Sequence, residues 1–156
     1  MSAPQPPVAV LDKAGIEARI PHRGRMCLLE RMTSWSAERI ECVAVNHRDP
    51  AHPLRTKSGL LASASIEYAA QAMALHGALS ASATGHEASA GFLASARDVR
   101  LQAWRLDDLA GDLVVAAERQ AADGGRILYA FTLRHNGREI ASGRVAVVLD
   151  TASIAT

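Results

Sequence analysis

Strict alternation of apolar and polar positions dominates the C-terminal half of the chain. Ile127, Tyr129, Phe131 and Leu133 alternate with Leu128, Ala130, Thr132 and Arg134. A two-residue period places successive side chains on opposite faces of a strand. This run spans Arg126 to His135 and is followed by Asn136-Gly137, two residues that tolerate the positive φ of a tight type I′ turn. A returning strand is expected from Arg138 to Leu149. Before it, Asp123-Gly124-Gly125 reads as a turn, and Asp112 to Arg119 and Gly91 to Trp104 read as two further strands. Nearer the N-terminus, Met26 to Met32 and Arg39 to Asn46 form two more candidates, separated by a turn at Ser34 to Glu38.

Between Gly59 and Ala81 the period changes. Leu61, Ser65, Tyr68, Ala72, Leu75 and Leu79 share one face at spacings of three and four, and Ile66, Ala70, Met73 and Gly77 make a second apolar face. A helix that is apolar nearly all round belongs in the middle of a fold, and Ser58 stands where an N-cap is expected. Asp12 to Ala18 can form one helical turn capped by Asp12, which Pro21 ends. His47 to Lys57 is an irregular loop and Ser80 to Ser89 a linker. The expected order is β-β-α-β-β-β-β, an α+β domain over residues 12–150. A flexible arm (1–11) and a short tail (151–156) flank it.

Composition first pulls the other way. The 156 residues include 31 alanines and only six aromatics, which suggests a helical bundle; the period-two runs exclude it. With 49% hydrophobic and 21% charged residues, one packed core is expected. Seventeen basic against sixteen acidic residues leave a formal charge of +1, which is no footprint for nucleic acid or for an anionic membrane surface. There is no signal-peptide pattern at the start, no convincing membrane span, and only two cysteines, so a cytoplasmic protein with reduced thiols is expected. Phosphate-binding glycine loops, nucleophile elbows and His/Cys metal spacings are missing from the sequence; no metal and no cofactor are expected.

One charge changes this picture. From Ser58 to His86 the only Asp, Glu, Lys or Arg is Glu67, in the middle of the apolar helix. A carboxylate in such surroundings costs about several kcal/mol unless it is paired, hydrogen-bonded or protonated. That makes it a candidate acid–base group. Gln71, four residues on and thus on the same face, can hold it. Among the six histidines, His76 lies half a turn away, since nine residues at about 100° each make 900°; it reads as a helix-end residue. His135 and His86 read as solvated, and His22, after Pro21, as structural. His47 and His52 lie in the loop that feeds the helix, and His52 is the better candidate partner. Gly59, at the expected helix start, can offer a backbone N–H to a carbonyl or oxyanion.

These residues resemble a known family. Ile20-Pro21-His22-Arg23 followed by Met26-Cys27-Leu28-Leu29-Glu30-Arg31 resembles the opening of the hotdog-fold β-hydroxyacyl-ACP dehydratases. Ile66-Glu67-Tyr68-Ala69-Ala70-Gln71 is similar to their central helix, and Gly91-Phe92-Leu93 and Leu109-Ala110-Gly111-Asp112 to later landmarks. The pattern from Gly59 to Gln71 is most similar to that of the dehydratase-like proteins of aryl polyene and related pigment clusters. The resemblance spans roughly residues 20–149 and implies a curved antiparallel sheet wrapped round one long helix. It further implies a homodimer or a hotdog heterodimer, and a 3-hydroxyacyl thioester held on an acyl carrier protein. In the family a loop His of one subunit removes the α-proton, a helix Glu of the other assists loss of the hydroxyl, and a backbone N–H polarises the thioester. Carried over, these roles fall to His52, Glu67 and Gly59, with Gln71 beside the substrate. The family's Gly-His-Phe-Pro-Gly loop is absent; here the chain reads Ala51-His52-Pro53-Leu54-Arg55. A hotdog thioesterase, and a weakly active or non-catalytic subunit of a heterodimer, are the alternative readings.

Overall fold

The computed structural model describes residues 10–86, 89 and 91–149; most of the expected arm and all of the tail lie outside the described residues. Seven strands and two helices follow in the order β1 (Leu11–Asp12), α1 (Lys13–Glu17), β2 (Arg31–Trp35), β3 (Arg39–Ala44), α2 (Ser65–Ala83), β4 (Gly91–Leu101), β5 (Leu113–Asp123), β6 (Arg126–His135) and β7 (Arg138–Leu149). All strand pairs are antiparallel, in the sheet order β1-β2-β3-β5-β6-β7-β4. Helix α2 lies on β3, β5 and β6. The architecture is a hotdog fold, a sheet wrapped around one long helix.

The two hairpin strands carry the bounds expected of them, and Asn136 and Gly137 both have positive φ, at 51° and 75°. Asp12 caps α1 by accepting from the Gly15 N–H at 2.8 Å. The core is built where the sequence patterns place it. Tyr68, Ala69, Ala72, Met73 and Leu75 of α2 meet Val115 and Ala117 of β5 and Tyr129, Phe131 and Leu133 of β6 in one buried cluster. Alanine on the helix lets the sheet come close, so few large aromatics are needed to fill the interior.

Several boundaries differ from expectation, and β1, which begins inside the expected arm, was not anticipated. At the helix start and at Met26 to Met32 a long-range partner takes backbone groups that local pattern assigns elsewhere. The central helix starts at Ser65, after a 3-10 turn at Ala62–Ala64, and neither Ser58 nor any other side chain caps it. The residues before it are bonded outward: the Leu60 N–H donates to Asp107 Oδ1 and the Ala62 N–H to the Trp104 carbonyl. Residues Met26 to Met32 are not one strand, because Gln71 takes the Leu28 N–H and the Met26 carbonyl. The last turn of α2 runs into the expected linker.

His76 is a further correction. It has no exposed surface; Nε2 donates to the Ser36 carbonyl at 3.0 Å and Nδ1 accepts from the Tyr129 hydroxyl at 2.9 Å. It therefore bolts the helix to the β2–β3 turn and to β6. The half-turn offset from Glu67 is what carries it into the core.

Candidate active site

Glu67 stands in the first turn of α2 on the wall of an open cleft of about 350 Å³, together with Leu54, Thr56, Leu61, Ser63, Ala64 and Ile66. Its side chain is 38% exposed, so solvation at the cleft meets part of the cost that an apolar helix imposes on a carboxylate. The helix N-terminus opens on the same cleft, and its positive end favours negative charge there.

Gln71 holds the carboxylate from behind. It is fully buried; its Oε1 accepts from the Leu28 N–H at 2.8 Å, and its Nε2 donates to the Met26 carbonyl at 2.7 Å and to Glu67 Oε1 at 3.3 Å. With every polar atom bonded inside the protein and no exposed surface, Gln71 positions Glu67 and does not reach a substrate in this structure. The i, i+4 spacing made the pair legible in the sequence; the anchor at residues 26–28 was not.

His22 is the residue that sequence reasoning passed over. Its Nε2 lies 3.5 Å from Glu67 Oε1, and its Nδ1 is buried without a hydrogen-bond partner. The only sequence signal was its place in Ile20-Pro21-His22-Arg23, 45 residues before the helix Glu.

His52 is arranged differently. The Leu54 N–H donates to its Nδ1 at 3.1 Å, which places the ring proton on Nε2, and Nε2 donates to the Tyr68 hydroxyl at 3.0 Å. The Tyr68 hydroxyl donates in turn to Asn46 Oδ1 at 2.7 Å. The residue is 5% exposed, and burial pushes its pKa below the usual histidine value. Both ring nitrogens are occupied, and His52 does not line the cleft. In this chain it ties the loop to the helix.

Gly59 is not at the helix start. Its N–H donates to the Thr56 carbonyl at 3.0 Å, so it is not free for a thioester oxygen. What requires glycine is geometry: φ is +99°, and a Cβ would lie 2.7 Å from both carboxylate oxygens of Asp107. Asp107 receives Arg105 Nε and the Leu60 N–H at 3.0 Å each, and lies 3.4 Å from Arg55. The Arg105 hydrogen bond holds its carboxyl well below the usual carboxylate range. This clasp shapes the loop that supplies Thr56 and Leu61 to the cleft.

Among the described residues, no group of three His, Cys, Asp or Glu side chains could hold a metal ion, and no helix is long and apolar enough to cross a membrane.

Comparisons with known proteins agree on the fold. The dehydratase heterocomplex ApeI:P from Xenorhabdus doucetiae superposes with a TM-score of 0.78 at 22% identity, covering 89% of this chain and 94% of that one. A thioesterase from Staphylococcus aureus gives 0.55 at 14% identity, with 76% and 90% covered. A hypothetical thioesterase with coenzyme A from Streptococcus pneumoniae gives 0.55 at 10% identity, with 76% and 83% covered. No match was found among curated proteins. A family described as ApeP-like, ApeP dehydratase, matches residues 14–155. The match begins inside α1 and runs through α2 and the strands β2 to β7, and the chain belongs to the ApeP-like family of hotdog dehydratases.

Proposed function

We propose that this dehydratase eliminates water from a 3-hydroxyacyl thioester carried on an acyl carrier protein, giving the 2-enoyl thioester, with Glu67 as its acid–base group. The observation that carries the reading is the placement of one carboxylate, held by Gln71, on the wall of a cleft lined by Leu54, Leu61, Ala64 and Ile66. Such a cleft accepts an acyl chain and presents its polar end to the carboxylate and the helix N-terminus.

A single carboxylate is enough for the proton balance. The Glu67 carboxylate takes the proton from C2, and the C–H electron pair becomes the C2=C3 π bond. The C3–O bond breaks, its pair leaves with the hydroxyl, and Glu67 returns the proton to make water. The helix N-terminus stabilises the charge that develops on the thioester oxygen.

A hotdog partner, either a second copy or a different chain, completes the assembly. Support comes from the sheet edge: β4 is exposed along almost its whole length, with Phe92 60% and Leu93 45% exposed, and Trp104 just beyond it is 91% exposed. An uncovered edge bearing large apolar side chains favours a partner.

The test is product analysis by mass spectrometry after incubating the full chain with a carrier-bound 3-hydroxyacyl thioester. Enoyl thioester is expected, and Glu67→Gln should lower its formation by about 10²-fold or more. Release of free acid would instead establish a thioesterase. Enoyl formation unaffected by Glu67→Gln would remove Glu67 from the chemistry.

A further inference from the structure

The two oxygens of Glu67 are not equivalent. Oε1 faces both Gln71 Nε2, at 3.3 Å, and His22 Nε2, at 3.5 Å. Among the described residues Oε2 has no hydrogen-bond or ion-pair partner. His22 is not among the residues that line the cleft, so what it does for the reaction it does through Glu67.

We propose that His22 is a positioning residue for Glu67 within the same chain, holding Oε1 together with Gln71 so that Oε2 is the oxygen presented to the substrate. The inference rests on the dehydratase reading of the cleft.

The local structure places His22 for this task. Pro21 fixes the backbone angle that leads into the residue. The Arg23 guanidinium donates to the carbonyls of Ile20 and His22, which closes the loop on itself. The chain that follows is anchored by Gln71 through Met26 and Leu28. One buried glutamine thus sets both the carboxylate and the segment that carries the histidine. The tautomer follows from the partners: Nδ1 has none, whereas Nε2 faces a carboxylate oxygen, so the ring proton belongs on Nε2. With Nε2 3.5 Å from Oε1 and Gln71 Nε2 bonded to the same oxygen, the rotation of the carboxylate is restrained from one side, and the reacting oxygen is then decided before substrate arrives.

This arrangement differs from a site in which the histidine comes from a second subunit. His22 and Glu67 meet within one chain, and His52, the histidine in the expected loop position, is committed to Tyr68.

The test compares His22→Ala and His22→Gln in the full chain, measuring kcat and KM for a 3-hydroxyacyl thioester, with thermal midpoints alongside. His22→Ala should lower kcat about 10- to 100-fold and leave KM within about twofold, because only the geometry of the proton transfer is disturbed. In His22→Gln the amide N–H can still reach Oε1, so most of the lost kcat should return. His22→Ala combined with Glu67→Gln should be no slower than Glu67→Gln alone, as for residues acting as a unit. A kcat for His22→Ala within twofold of the wild type overturns the proposal, as does a His22→Gln no faster than His22→Ala at equal thermal midpoint. An additive double variant does the same. A second readout is independent of turnover: the His22 ring 15N resonances should shift in Glu67→Gln, and unchanged resonances refute the contact. Wild-type protein that forms no enoyl thioester, with the resonance shift intact, would count against the dehydratase reading and leave the pair standing. Turnover without a His22 effect counts against the pair alone.

Discussion

Replacing Gly59 by alanine separates two roles for this residue. A backbone N–H donor to the substrate survives the change, because alanine keeps the N–H. A conformational requirement does not. At φ +99° a side chain costs about 1–3 kcal/mol in backbone strain. The added Cβ would also sit 2.7 Å from both Asp107 oxygens and 2.8 Å from Arg105 Nε. Arg105 is exposed and can swing away, but Asp107 can move only by loosening its bond from the Leu60 N–H at 3.0 Å. Loss of that bond costs about 1 kcal/mol more, with the charge-assisted part discounted for solvent. The sum is about 2–4 kcal/mol, which for a domain near this size lowers the thermal midpoint by roughly 5–15 °C. Urea denaturation followed by circular dichroism gives the free energy directly, and an unchanged slope would confirm that the loss lies in the native state. A loss below about 0.5 kcal/mol would refute the argument, because neither the backbone strain nor the displaced Asp107 would then be real. Weaker substrate binding is expected alongside, since Thr56 and Leu61 on the cleft wall belong to the same loop.

Two further outcomes follow from buried titrating groups. His47, His52 and His76 all have pKa values lowered from 6.5, in each case chiefly by burial. The unfolded chain then binds more protons than the native one, so stability is full above about pH 6.5 and falls as pH drops below it towards the native values; urea midpoints that stay level between pH 7.5 and roughly pH 5 would contradict this. Cys42 is fully buried and burial pushes its thiol up to about 12, so at pH 8 a thiol reagent should modify it only after unfolding; modification at the rate of a free thiol in folded protein would show that the β2–β3–β5 core opens readily.

Strand and helix identity were legible in the sequence because they rest on local periods. The alternation from Ile127 to Arg134 cannot be satisfied by a helix, and Asn136-Gly137 carries its own turn chemistry. The lone charge of the apolar helix marked Glu67 as the residue to explain, and the i, i+4 spacing joined Gln71 to it. The helix start was less legible. Residues 59–64 keep helical spacing, yet their backbone groups bond to Trp104, Arg105 and Asp107 some 45 residues away, and no local signal competes with that.

The sequence by itself thus determined the order of elements from β2 onward, the apolar helix and its single carboxylate, but not β1, whose two residues gain strand geometry only by pairing with β2. Only the tertiary structure decided which histidine meets that carboxylate. His52, 15 residues from Glu67, is diverted to the hydroxyl of Tyr68, one position along the helix and about 100° around it. His22, 45 residues away, is brought to Glu67 Oε1 because Gln71 anchors the segment just after it. Distance along the chain does not order such encounters. They are set by which buried polar groups must be satisfied when the sheet closes over the helix.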